Sequence, residues 1–200
     1  MNKILITGFE PWGEHGGNSS WNAVEQAQPS LSSDWQLNKQ RLPVSWKRIH
    51  SEIKKIVQQK YDIIVLFGMS PNPLIQIERI AINLTSRHDK DVDQLPPPGN
   101  FVQEHGPAAY WSQFDVEQVN KRLNDSALPS DVSAHAGTFL CNYSFYLLMH
   151  QLNKSSPNCL AGFIHVPSFA QESPHSPKSL SQAVELIVNE LTIEFDRQDH

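Results

Sequence analysis

Short apolar runs alternate with longer amphipathic stretches from one end of the chain to the other. The runs are KILIT (3–7), closed by Gly8, QLNKQRLPV (36–44), ending near Pro43, YDIIVLF (61–67), stopping at Gly68, and LAGFIHV (160–166). Segments of that length, rich in Ile, Val and Leu and bounded by Gly or Pro, predict strands. YDIIVLF is almost continuously apolar, which predicts a strand covered on both faces of its sheet. IQIERIAINL (75–84) alternates apolar with polar and predicts a more exposed strand, and DVSAHAG (131–137) predicts another.

Between these runs the apolar period lengthens to that of a helix. Ser45 is placed to cap WKRIHSEIKKIVQQK, in which Trp46, Ile49, Ile53, Ile56 and Val57 share one face. Ser19 or Ser20 is placed to cap a helix starting near Trp21. Further helices are expected within 107–124, over about 141–152, and from about 178. In the last, Leu180, Ala183, Val184, Ile187, Leu191 and Phe195 form a stripe whose plain reading is core packing. Residues 85–107 are polar, include PPPG, and predict a long loop. No internal repeat, low-complexity tract or linker interrupts the alternation. The pattern predicts α/β architecture: a single domain over 1–200, in three layers on a largely parallel twisted sheet, with its site at the carboxyl ends of strands.

Composition narrows the function. The 200 residues are 39% hydrophobic and 18% charged, which fits a globular protein and not a disordered one. The net charge is −5, with Lys and Arg scattered, so no nucleic-acid partner is expected. The apolar run Ile4–Ile6 is far too short for a signal-peptide core, and no stretch approaches the ~18 apolar residues of a membrane helix. Two cysteines do not make a disulfide framework, so a cytoplasmic location is expected. The nine histidines include no H-E-x-x-H and no pair at ligand spacing, so no metal is expected.

The glycine-rich loop GFEPWGEHGGN (8–18) lacks the G-x-G-x-x-G order, and Glu10 and Glu14 would repel a phosphate. It better suits a small-molecule pocket, with Phe9 and Trp12 as flat walls and Asn18 as a directional amide. Both aromatics also fit a simpler role as loop anchors. No G-x-S-x-G elbow is present. A thiol mechanism finds better material. Cys141, in AGTFLCN (136–142), opens a predicted helix, where unpaired N–H groups and the helix dipole favour the thiolate and an oxyanion. His165 ends the next predicted strand. In a parallel sheet that strand end falls on the same edge, which makes it a candidate base. Glu78, a charge flanked by isoleucines, is a candidate for orienting the histidine. The same residues also fit a buried cysteine, a capped strand-end histidine and an exposed Glu78–Arg79 face.

Taken together, TGFEPWG followed by NSSW, ERIAIN, GPAAYW, AGTFLCNYSFYLLMH and AGFIHVP resemble pyroglutamyl peptidase I, also called pyrrolidone-carboxyl peptidase, a cysteine peptidase family. The matches run from residue 4 to about 170, in the family's order. The resemblance implies an α/β/α sandwich that removes an N-terminal pyroglutamyl residue from peptides. It places the nucleophile at Cys141, the histidine at His165 and the acid at Glu78. It places the pocket at Phe9, Trp12, Asn18, Met69, Phe139 and Leu140. It implies no cofactor and a homo-oligomer, a dimer or tetramer. Three departures stand out. GMSPNP (68–73) replaces the family's G-Q-A-G-G-R, so Met69 stands where a lactam-binding glutamine is usual. Trp12 replaces a phenylalanine and Glu14 a glycine. The family's arginine after AIN has only Arg87 nearby. A thiol hydrolase with a shifted N-blocked or cyclic-amide substrate, and a non-catalytic binding protein on the same fold, are the alternatives these changes raise.

Overall fold

The structure is a computed structural model and describes residues 1–12, 17–156, 158–169 and 172–198. At its centre is a six-stranded sheet in the order β2-β1-β3-β8-β4-β7. The strands are β1 (Asn2–Phe9), β2 (Trp35–Leu42), β3 (Ile63–Ser70), β4 (Ile75–Glu78), β7 (Ser130–Ser133) and β8 (Leu160–Pro167). A small antiparallel pair, β5 (Ile80–Ile82) and β6 (Ala109–Trp111), stands apart from it.

Helices cover both faces. The helices α1 (Ser19–Gln26), α3 (Val116–Asp125) and α5 (Pro177–Gln198) contribute Val24, Val119, Leu123, Ile187 and Leu191 to one apolar layer, against Ile4, Ile6, Val65 and Ile77 of the sheet. On the opposite face, α2 (Trp46–Gln58) and α4 (Leu140–Ser155) bring Ile49, Ile53, Phe145 and Leu148 against Leu5, Ile64, Leu66 and Phe163. The result is an α/β/α sandwich. Burial of each such side chain contributes about 1.5–3 kcal/mol, so the continuous apolar runs of β1, β3 and β8 dictate a sheet covered on both sides.

The helix starts follow local chemistry. Ser45 Oγ accepts from Arg48 N to cap α2, and Asp115 accepts from Glu117 and Gln118 N to cap α3. The cap of α1 is Asn18 and not Ser19 or Ser20, because the Asn18 carbonyl oxygen accepts from Ser20 N at 3.1 Å.

Four sequence expectations need correction. The strand through YDIIVLF does not stop at Gly68 but continues to Ser70, with Gly68 paired to His165. IQIERIAINL is two strands broken at Arg79. Its first half, β4, lies inside the main sheet between β8 and β7 and is largely buried. A short strand, β6, precedes the helix expected within 107–124. β7 ends at Ser133, and β4 and β7, parallel to each other, run antiparallel to β8.

The segment from 83 to 108 has no regular strand or helix, yet it is pinned throughout. Asn83 Nδ2 donates to Gln103 O and Gly106 O, and its Oδ1 accepts from Gln103 N. Buried Asp91 accepts from the backbone N–H groups of Trp46, Asp93 and Leu95, each at 2.9 Å. This clamps the loop to the start of α2.

Candidate active site

Three elements of the sheet and one helix end converge on Cys141. β8 carries His165, β4 ends at Glu78, β3 passes Gly68 beside His165, and Cys141 is the second residue of α4. His165 Nδ1 donates to Glu78 Oε1 at 2.7 Å, with Glu78 only 1% exposed. That contact fixes the imidazole and leaves Nε2 for the hydrogen bond with the Cys141 side chain. Burial alone would lower the His165 pKa. The opposing charge and hydrogen bond of Cys141, then those of Glu78, outweigh it and raise the value to about 9. Glu78 Oε2 is buried and has no hydrogen-bond partner among the described residues, so the carboxylate's one neutralising contact is His165.

The reason these groups meet differs from a simple shared strand edge. β7, which precedes α4, runs opposite to β8. The 134–139 connection instead carries the chain back, so that α4 starts over the ends of β3 and β8. Gly68 makes this possible. A Cβ there would lie 2.9 Å from Cys141 Sγ and 2.6 Å from Phe163 Cζ, too close for any side chain.

The start of α4 is open. α1, α2 and α3 each have a side-chain cap, whereas Phe139 at the N-cap of α4 makes no side-chain capping bond. The first-turn N–H groups around Cys141 are therefore available to an anion. Asn142 holds this turn in place. Its side chain is fully buried, accepts from Ile82 N at 2.9 Å and donates to Ile82 O at 2.8 Å and Leu84 O at 3.0 Å, tying α4 to β5.

A cavity of about 70 Å³ opens beside the thiol, lined by Phe9, Trp12, Asn18, Val44, Met69, Phe139, Leu140 and Cys141. All six residues expected to form the pocket thus line one space with the candidate nucleophile. None of the described lining side chains is charged. Trp12, 41% exposed, packs against Phe139 with ring centroids 5.4 Å apart, and Trp46 supports Phe139 edge-on at 5.2 Å. Asn18 borders the cavity, but its amide is engaged in the fold. Its oxygen accepts from Ser20 N and Ser20 Oγ, and Nδ2 donates to Glu10 O at 3.2 Å. Glu14 lies outside the described residues.

Comparison with known proteins decides the family. A family model described as pyroglutamyl peptidase matches residues 2–197. The chain belongs to the pyroglutamyl peptidase family. A pyrrolidone-carboxylate peptidase of Bacillus licheniformis is 33% identical over 193 residues, covering 96% of this chain and 89% of the relative. The structure of a pyrrolidone carboxyl peptidase from Thermococcus litoralis superposes with a TM-score of 0.90 at 29% identity, covering 100% of this chain and 97% of that one. The pyroglutamyl peptidase I of Bacillus amyloliquefaciens gives a TM-score of 0.85 at 29% identity, covering 94% and 95%.

In this pyroglutamyl peptidase family member, sequence reasoning missed Val44, Gly68, Asn142 and Asp91 as parts of the site or its frame. Gly68 was legible only as a strand end. Asn142, next to the cysteine, carries no local signal that its amide bridges to β5, because that contact spans 60 residues. The second cysteine, Cys159, is buried, and its thiol is pushed up to about 12 by burial and by nearby Asp62, which sets it apart from any nucleophilic role. Among the described residues, no group of three or more His, Cys, Asp or Glu is placed to hold a metal ion, and no helix is long and apolar enough to cross a membrane.

Proposed function

We propose that this chain is a cysteine peptidase that removes an N-terminal pyroglutamyl residue from peptides. The observation that carries this reading is the run Glu78–His165–Cys141 ending at an uncapped helix start and opening on a small cavity whose described lining carries no charge. The cavity is far below the ~300–1,000 Å³ of drug-sized sites, so it suits a single small ring. A lactam enters without charge. An ordinary N-terminus would bring an ammonium group to a wall with no carboxylate among its described residues, at an uncompensated desolvation cost.

The chemistry follows from the placement of the groups. His165 holds the Cys141 proton as an imidazolium–thiolate pair, which Glu78 stabilises through Nδ1. The sulfur attacks the pyroglutamyl carbonyl carbon, and first-turn N–H groups of α4 donate hydrogen bonds to the developing oxyanion. His165 returns the proton to the leaving nitrogen as the C–N bond breaks, which releases the shortened peptide. Water, deprotonated by His165, then attacks the thioester. Collapse expels the Cys141 sulfur and frees pyroglutamate. Every proton in this sequence passes through His165, and no cofactor is needed.

Phe9, Trp12 and Phe139 would hold the ring faces, with Leu140 and Val44 closing the sides. Met69 brings a thioether, a poor hydrogen-bond partner for a lactam amide, so the polar contacts fall to main-chain groups. That feature favours a second reading in which the preferred ring is another small cyclic amide. We further propose that 1–200 acts as one peptidase domain, in the cytoplasm, as a homo-oligomer.

Rapid acid quenching during turnover of a pyroglutamyl amide, followed by mass spectrometry, tests the mechanism. A pyroglutamyl adduct is expected on the peptide containing Cys141 and absent from the one containing Cys159. An adduct on Cys159, or turnover with no adduct under conditions where acylation is fast, would contradict it. Parallel runs with other cyclic amides decide between the two readings.

A further inference from the structure

The 70 Å³ cavity has room for one ring, so the remainder of a peptide substrate must leave across its rim. Trp12 and Phe139 line that cavity, and the same two side chains also line a second, larger cavity of about 490 Å³. Its opposite wall is His88, Asp89 and Lys90. The wall is preformed. Ser86 N donates to Thr138 O at 2.6 Å, Ser86 Oγ accepts from His88 and Asp89 N, and Asp91 clamps the following turn to α2. The nearby carboxylates Glu10 and Asp93 are both taken up by Arg48. Asp89 and Lys90, by contrast, have no ion-pair partner among the described residues, and both are exposed. The geometry points to this cavity as the subsite for the residue that follows pyroglutamate, with Asp89 and Lys90 setting its charge preference.

The assignment rests on the pyroglutamyl reading and adds a specificity to it. A basic side chain after the lactam meets Asp89, and an acidic one meets Lys90. Neither charge is buried, so each contributes modestly: exposed pairs are worth on the order of three-fold in a binding or rate ratio. The contribution should shrink as ionic strength rises, because the screening length falls from about 10 Å at 0.1 M to about 3 Å at 1 M.

The test is a charge-swap series on the full chain. Peptides pyroglutamyl-Lys-Ala, pyroglutamyl-Glu-Ala and pyroglutamyl-Leu-Ala are compared by kcat/KM in wild type, Asp89→Lys and Lys90→Glu, at low and high salt. Asp89→Lys is expected to lower the Lys/Glu ratio by roughly three- to ten-fold, and Lys90→Glu to raise it similarly, with both changes compressed at high salt. The leucine peptide supplies the reference within each variant, so a partly misfolded variant changes all three rates together and leaves the ratios readable. Unchanged ratios in variants that cleave the leucine peptide would overturn the subsite and leave the peptidase reading intact. A wild-type protein that cleaves none of the three would overturn both.

Discussion

His165 sits between two partners that favour its charged form, Cys141 and Glu78, inside a sheet that would otherwise favour its neutral form. Its pKa of about 9 means that the imidazolium persists through neutral pH. The linkage follows from the direction. A histidine raised above its ordinary value of about 6.5 adds folding stability that is fully present below that pH and is lost as pH rises through about 9. Activity that depends on the imidazolium as acid should fall over the same alkaline range. NMR of the His165 imidazole is expected to give a titration near 9 in the wild type and a markedly lower one in Cys141→Ala, where the largest raising influence is gone and burial remains. A value near 6.5 in both proteins would contradict the pairing. At this scale the sequence was informative for a physical reason. A charge among isoleucines, a histidine at the end of an apolar strand and a cysteine at a helix start are each costly or unusual, and the structure brings all three together. Asn18 was less legible, because an asparagine after a glycine-rich loop serves equally as ligand or helix cap, and here its amide caps α1.

Strand β3 and helix α4 approach closely only because Gly68 has no side chain. Ala at this position would drive a methyl group into both Phe163 and the Cys141 sulfur. Overpacking of this kind costs about 1–3 kcal/mol. The displaced sulfur should lower kcat far more than KM, because a misplacement of about 1 Å in a reacting group can cost on the order of 100-fold. Circular dichroism with steady-state kinetics on Gly68→Ala is expected to give a folded protein with a modestly lower Tm and a large loss in kcat. Full activity would show that the close approach at Gly68 does not position the Cys141 sulfur. Element boundaries were legible wherever apolar period and cap chemistry agreed, as at Ser45 and α2. They failed where a residue's role was set by a distant partner. Gly68 reads locally as a stop but pairs with His165 across the sheet, and Arg79 reads as part of one exposed strand but breaks two.

The whole molecule places the site where three strands and a helix start meet under a clamped loop. The three-layer class was readable from alternating periods, but strand order and direction were not. Pattern fixes which residues are buried, whereas the insertion of β8 between β3 and β4, and the reversal of β4 and β7, depend on how connections cross the sheet. The loop from 83 to 108 was equally opaque, since its rigidity comes from Asp91 and Asn83 binding backbone groups and not from any apolar pattern. Cys141, and not Cys159, is the proposed nucleophile toward a pyroglutamyl carbonyl. The most direct measurement is release of a fluorescent amine from a pyroglutamyl amide by the wild type, Cys141→Ala and Cys159→Ala. Clear turnover is expected from the wild type, with most of it retained by Cys159→Ala and a loss of about 10⁴-fold or more in Cys141→Ala. Equal turnover by Cys141→Ala and wild type, or none by a folded wild type, would contradict it.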